Sequence, residues 1–147
     1  MRLRCFIIAV AVAVALAALA AVPASGLASG NVLQVTPGMV NFGAKPVESS
    51  TIKFTTITNT SDEAVLLTLT LVRSWDDFAG GLVESTCTLF EPALLAPGES
   101  CTLVERFVPH DEFIGIKQDQ IWVATATDVN TGEVLDTEEL VFFGRAR

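Results

Sequence analysis

The chain has few residues of the kinds that catalysis and metal binding require. Its single histidine, His110, follows Pro109 in a polar segment typical of an exposed turn, and tyrosine is absent. Nucleophilic catalysis usually needs a base poised near neutral pH, most often histidine, and a copper or zinc site in a β-sandwich needs several histidine ligands. No glycine-rich phosphate loop precedes a helix. We therefore expect no enzymatic activity, no bound metal and no cofactor.

Two acidic clusters offer hard oxygen ligands of the kind that calcium prefers. One is Asp76-Asp77, and the other is Asp111-Glu112 together with Asp119. Neither cluster has the alternating acid spacing of a calcium-binding loop. Solvated surface acids are the simpler interpretation of both clusters, and calcium binding stays an alternative.

The two tryptophans could provide flat surfaces on which a sugar ring stacks. Trp75 is the better candidate because Asp76 and Asp77 follow it directly, so these three residues are the candidate ligand contacts. Core packing is an equally good explanation of Trp75 and the favoured one for Trp122. A Trp75 exposed to solvent beside the two acids would favour sugar or calcium binding.

The first 26 residues have the organisation of a secretory signal peptide. Arg2 and Arg4 form a short basic region, and an uncharged apolar run extends from Phe6 to Val22. Val22-Pro23-Ala24 and the residues up to Ala28 fit the rule of small residues at a cleavage site. An uncleaved membrane anchor is the alternative, but the run lies at the short end of the roughly 20 residues that a span needs. We predict cleavage and a secreted or periplasmic protein.

Two cysteines, Cys87 and Cys101, remain after the predicted cleavage, because Cys5 lies within the signal. In an oxidising compartment an even pair indicates a disulfide. A free reactive thiol or a metal site is the alternative, and it lacks a nearby partner histidine. The disulfide would close a ring worth on the order of 3 kcal/mol by the loop-entropy estimate.

Charge restricts the partners that the mature chain can bind. Loss of Arg2 and Arg4 leaves seven Lys and Arg against 17 Asp and Glu, a net charge of about −10. Such a surface repels phosphate backbones, so we expect no nucleic-acid partner, and it favours a protein with a basic face. No second apolar stretch follows the signal, so we expect no stable membrane insertion after cleavage. Residues 31–145 have the size of one domain.

After the signal, short apolar alternations are broken by turn residues at fairly regular intervals, which is typical of a sandwich or barrel. The clearest strand is Val65 to Val72. Its apolar face needs a second layer to cover it. We predict an all-β, immunoglobulin-like β-sandwich of seven to nine strands. The residues expected to be buried together between its sheets are Leu67, Leu69, Leu71, Leu103, Phe107 and Val123.

Two positions depart from simple alternation. Ile52 and Phe54 share one face, whereas Ile57 has the opposite phase, which predicts a β-bulge near Thr55-Thr56. Glu105 falls in an inward row between Leu103 and Phe107. A buried, unpaired charge is too costly, so we expect Glu105 to reach solvent near an edge or its strand to bulge.

The order of several segments resembles a known family. The segments are LQVTPGMVNFG (Leu33 to Gly43), ITNTSDEAVLLTL (Ile57 to Leu69), Phe78 before Cys87, LLAPGESCTLVERFVP (Leu94 to Pro109) and VFFG (Val141 to Gly144). Together they resemble the abnormal-spindle and hydin (ASH) type of immunoglobulin-like domain, which is related to major sperm protein domains. Secreted bacterial chains with this signature are often called choice-of-anchor D proteins. Glu105 departs from the pattern, which usually has an aliphatic residue there.

The resemblance and the lack of catalytic residues favour one function. We expect an exported, non-enzymatic binding or structural module that engages a protein partner at the cell envelope or outside the cell, through its sheet edges and loops. The alternative is a carbohydrate- or calcium-binding accessory domain, with contacts from Trp75, Asp76 and Asp77.

Overall fold

The computed structural model describes residues 31–78, 85–89 and 91–147. The predicted signal peptide, residues 1–26, lies outside this part. Within it are eight strands and one short 3-10 helix, Asp111–Phe113. The strands are β1 (Leu33–Thr36), β2 (Met39–Lys45), β3 (Thr51–Asn59), β4 (Val65–Arg73), β5 (Ala93–Leu95), β6 (Ser100–Phe107), β7 (Lys117–Asp128) and β8 (Val134–Ala146).

The strands form two sheets, one in the order β1-β3-β6 and the other in the order β2-β8-β7-β4-β5. All pairs are antiparallel except β2 with β8, which is parallel. The chain leaves the first sheet after Thr36 and enters the second at Met39, so the first two strands lie in different sheets. This arrangement is the predicted immunoglobulin-like β-sandwich. No helix of the described residues is long and apolar enough to cross a membrane.

The core lies between the sheets and is built from alternate residues of each strand, as side chains of period two require. Leu67 and Leu69 of β4 and Leu103 and Phe107 of β6 are buried, as predicted. At one end of the core, Phe107 packs against two further phenylalanines, with ring centroids 5.5 Å from Phe42 and 5.0 Å from Phe78. A Cβ atom at Gly144 would lie 2.7 Å from the Phe107 ring, so β8 needs glycine there.

Two members of the predicted inward row are not buried. Leu71 is 45% exposed, because it lies beside a register shift between Leu71 and Arg73, where β4 ends. Val123 is half-buried on the outer face of its sheet, because β7 turns Trp122 and Ala124 inward instead. The sequence of β7 has apolar residues on both faces, so alternation alone did not determine its phase.

The predicted bulge in β3 is wrong. β3 pairs with β6 continuously from Thr51 to Thr58 without a register shift. The inward face carries Thr55 and Ile57, and the Thr55 hydroxyl donates a 2.7 Å hydrogen bond to the Pro37 carbonyl. Because this bond satisfies the threonine hydroxyl, a polar residue can take the inward position. Ile52 and Phe54 consequently point outward.

The structure forms the expected disulfide between Cys87 and Cys101, whose Cα atoms lie 4.9 Å apart. Both cysteines are buried. The bond joins the segment 85–89 to the first residues of β6. The backbone N–H of Thr86 adds a 2.9 Å hydrogen bond to the Thr102 carbonyl, so this segment lies along the outer edge of β6.

Candidate interaction surface

The three candidate ligand contacts do not share one exposed surface. Trp75 is half-buried, and its ring packs edge-on against Phe113 with the centroids 5.6 Å apart. Asp76 is exposed, whereas the side chain of Asp77 is fully buried. The segment is fixed by a 2.8 Å hydrogen bond from the backbone N–H of Val108 to the Asp77 carbonyl. Ligand contact by these residues stays a prediction, and in this conformation Asp77 is inaccessible to a ligand.

The second acidic cluster is also divided. Asp111 and Glu112 are exposed on the 3-10 helix, while Asp119 forms an ion pair with Arg73. In residues 31–78, 85–89 and 91–147, no group of three or more His, Cys, Asp or Glu side chains could hold a metal ion. His110 is exposed.

Glu105 is buried between the sheets, contrary to expectation. β6 is regular at this position, and Glu105 is 0% exposed. Burial raises the pKa of Glu105 to about 7, against an opposing effect of the Trp122 indole, which donates a 3.0 Å hydrogen bond to Oε1. A carboxyl group with such a pKa can be buried as the neutral acid, which avoids the penalty of an unpaired charge. The clue in the sequence was that Trp122 and Glu105 could face each other across the core.

Charge is unevenly distributed along the strands. At the end where β3 finishes and β4 and β8 begin, the charged residues are all acidic. These residues are Asp62, Glu63, Glu99, Asp128 and Glu133. All cations of residues 31–147 lie in the opposite half of the sandwich, where β7 begins and β8 ends. They are Lys45, Lys53, Arg73, Arg106, Lys117, Arg145 and Arg147.

Most sheet edges in the described part of the chain are obstructed, which limits where another strand could add. The outer edge of β6 is occupied by residues 85–87, including a 2.9 Å bond from the Val104 N–H to Ser85 Oγ. On β2, the Lys53 amine donates a 2.8 Å hydrogen bond to the Asn41 carbonyl, and the register shifts between Asn41 and Gly43. β5 is only three residues long.

The edge of β3 is open over its first half. β1 pairs only with Thr56 to Asn59, so residues Thr51 to Thr55 have no described strand on that side. A groove of about 340 Å³ follows this edge. Its lining residues are Pro37, Met39, Val40, Asn41, Ile52, Lys53 and Phe54. We call it the β3 groove.

Large apolar side chains are exposed in the β3 groove. Met39 is 66% exposed, Phe54 63% and Ile52 46%. Single exposed apolar residues are ordinary, but a group of them beside this edge of β3 makes the groove the candidate interaction surface. The sequence did not predict this site, because a bulge at Thr55-Thr56 would have left open which face of β3 carries Ile52 and Phe54. Without a bulge, their spacing of two residues, opposite in phase to the buried Ile57, would have indicated that both side chains are exposed.

A second edge to which no strand of the described residues pairs lies on β4, whose residues Thr68 to Arg73 extend beyond the end of β5. The groove beside it has a volume of about 400 Å³ and is lined in part by Leu71, Leu89 and Trp122. Val72, at the register shift, is 62% exposed. We call this feature the β4 edge.

No protein-family model and no curated protein matches the sequence. Among solved structures, the ASH/PapD-like domain 7 of human CEP192 is 12% identical and superimposes with a TM-score of 0.56 over 79% of this chain and 85% of that domain. A protein of unknown function from Porphyromonas gingivalis W83 is 16% identical, with a TM-score of 0.58 over 78% of this chain and 47% of that one. This chain therefore spans about half the length of the bacterial protein.

A weaker likeness links the chain to WR4, an MSP family member of C. elegans, with 10% identity and a TM-score of 0.47 over 79% of this chain and 98% of that one. The superpositions on the human domain and the bacterial protein, at identities of 12% and 16%, establish the fold alone. The described chain has the immunoglobulin-like fold of the ASH/PapD-like domains.

Proposed function

We propose that this chain is exported and that its β-sandwich, residues 31–145, is a non-enzymatic module that binds another protein at the cell envelope or outside the cell. The observation that carries the proposal is the β3 groove, where Met39, Ile52 and Phe54 are exposed beside a strand edge that no strand of the described chain pairs with. Burying these side chains against a partner would remove apolar surface from water and give the edge backbone hydrogen-bond partners.

Export is supported by two features. Residues 1–26 have the pattern of a cleavable signal. The buried Cys87–Cys101 disulfide fits an oxidising compartment, because cytosolic thiols are kept reduced. The intact mass of the exported protein should lack the first 24 to 28 residues. Recovery of residues 1–26 on the protein in a membrane fraction would contradict cleavage.

Affinity capture from the extracytoplasmic fraction of the producing cells tests the binding function. The exported domain should retain a protein partner, and retention should fall as salt rises because charged groups contribute to selection. His110→Ala should leave capture unchanged, since no role is assigned to that exposed histidine.

Two outcomes would contradict the proposal. One is the absence of a protein partner together with glycan or calcium binding that is lost in Trp75→Ala or Asp76→Asn. The other is a hydrolytic activity that disappears when a pair of acids is replaced by amides.

A further inference from the structure

The β3 groove has the geometry of an unfilled strand position. β1 pairs with β3 as far as Thr36, and the chain then crosses to the other sheet at Pro37-Gly38. If β1 continued straight beyond Thr36, it would therefore lie beside Thr51 to Thr55 of β3. An extended segment placed there would continue the first sheet and complete the hydrogen bonding of β3 on its open side.

The side chains of β3 determine what such a segment should contain. Ile52 and Phe54 point outward from the sheet, and Lys53 lies between them on the other face. Cross-strand neighbours on one face interact directly. Residues opposite Ile52 and Phe54 would therefore be apolar, and the residue between them would lie beside the Lys53 amine.

The charge of Lys53 indicates which residue should lie between the two apolar residues of the incoming segment. Among the residues that the structure describes, Lys53 is the one charged residue that lines the groove, and its amine has three donors, of which one is used by the Asn41 carbonyl. On β6, Arg106 lies opposite Ile52 on the outer face, and the register partner of Lys53 is the buried Glu105, which accepts a hydrogen bond from Trp122. A carboxylate on the incoming strand would find a donor here, whereas a lysine would be repelled.

We propose, on the basis of the protein-binding function, that the β3 groove accepts an extended segment of a partner protein in which an Asp or Glu lies between two apolar residues. The Lys53 amine, rather than the overall negative charge, is the guide to the partner, so the docking segment is acidic and apolar rather than basic. A second copy of this chain is a poorer occupant, because the net charge of about −10 that remains after the predicted cleavage opposes self-association.

The test is selection of a displayed library of ten-residue peptides on the disulfide-intact domain, run in parallel on wild type and Lys53→Glu. Wild type should enrich peptides with an acid between two apolar residues. Lys53→Glu should instead enrich Lys or Arg at that central position. The ratio of the affinity for acidic-centre peptides to the affinity for basic-centre peptides should change by about tenfold between wild type and Lys53→Glu. Amide exchange of Thr51 to Thr55 should slow when the wild-type peptide binds.

Two further variants locate the interaction. Phe54→Ser should abolish selection of these peptides, whereas Val72→Lys, at the β4 edge, should leave it unchanged. Unfolding midpoints in urea confirm that each variant is folded. Failure to enrich any peptide, enrichment of basic peptides on wild type, or a preference unaffected by Lys53→Glu would overturn the proposal.

The outcome is separable from that of the proposed function. If the natural partner is captured by Phe54→Ser but lost with Val72→Lys, the module binds protein at the β4 edge, and the assignment to the β3 groove is wrong. If both variants and wild type capture no protein, the binding function itself fails.

Discussion

Glu105 is an acid in an otherwise apolar row of β6, and its neighbours explain how the core tolerates it. The Trp122 N–H bonds one oxygen, while the other oxygen, Oε2, has no hydrogen-bond partner among the described residues. A protonated carboxyl fits this environment better than a carboxylate, because only the charged form carries the full desolvation penalty. Alternation assigns Glu105 to the inward row, but the expectation that it would reach solvent or that β6 would bulge is wrong, because its protonation state depends on packing that alternation does not report.

The stability of the domain should fall as pH rises from about 4.5 to about 7. Glu105 is protonated in both states below its ordinary pKa of 4.5, whereas between 4.5 and about 7 the unfolded chain has released the proton and the folded chain retains it. The free energy of unfolding therefore falls across this pH range, by on the order of 3 kcal/mol in total. Urea unfolding at several pH values measures this slope.

Glu105→Gln should remove most of that slope, because an amide keeps an acceptor for Trp122 and does not titrate. Glu133→Gln, at an exposed acid of the β7–β8 turn, is the control and should leave the slope unchanged. Asp128 affects stability at lower pH than Glu105 does. Backbone N–H groups of Thr131 and Asn130 donate hydrogen bonds to its carboxylate and lower its pKa below 3.8, so its contribution to the stability of the fold is lost only in stronger acid. An unchanged slope in Glu105→Gln would show that Glu105 is ionised in the fold.

At the scale of the element, the strands that could be predicted best were those with one apolar and one polar face. β4 alternates from Val65 to Leu69 as predicted, and the inward positions of Leu103 and Phe107 in β6 were also correct. β3 and β7 were harder, because threonine takes an inward position in β3 and both faces of β7 carry apolar side chains. The crossing from β1 to β2, which opens the β3 groove, depends on long-range pairing with β8 and was not foreseen.

Truncation of two leucines in β4 separates the buried part of the strand from its exposed end. Leu69→Ala should lower the free energy of unfolding by about 2–5 kcal/mol, because Leu69 is 4% exposed and its removal leaves a cavity. Leu71→Ala is the matched control at a site 45% exposed, and it should cost about 1 kcal/mol or less. Equal losses in chemical denaturation would mean that the two side chains are equally packed.

The Cys87–Cys101 disulfide should contribute on the order of 3 kcal/mol by restricting the unfolded chain. Cys87→Ala with Cys101→Ala, and wild type under reducing conditions, should both show that loss in urea unfolding. Peptide mapping without reductant should recover the two cysteines linked. Two freely alkylated thiols in native exported protein would contradict the bond, and an unchanged midpoint would contradict its contribution.

At the scale of the whole molecule, composition predicted the net charge but not where the charges lie. The acidic composition suggested a basic partner, yet the strand order gathers every cation of residues 31–147 into one half of the sandwich. The β3 groove opens in that half, with Lys53 in its lining. Local charge acts over about a Debye length, roughly 8 Å in physiological salt, so it governs a docked segment more than the total charge does.

The most direct test of protein binding through the β3 groove is photocross-linking in the cells that export the chain. A photoreactive phenylalanine analogue replaces Phe54, and a control protein carries it at Leu94, which is similarly exposed on β5. We expect the analogue at position 54 to form a covalent adduct with one protein that is not cross-linked from position 94. No adduct from position 54, or the same adducts from both positions, would contradict binding in the groove.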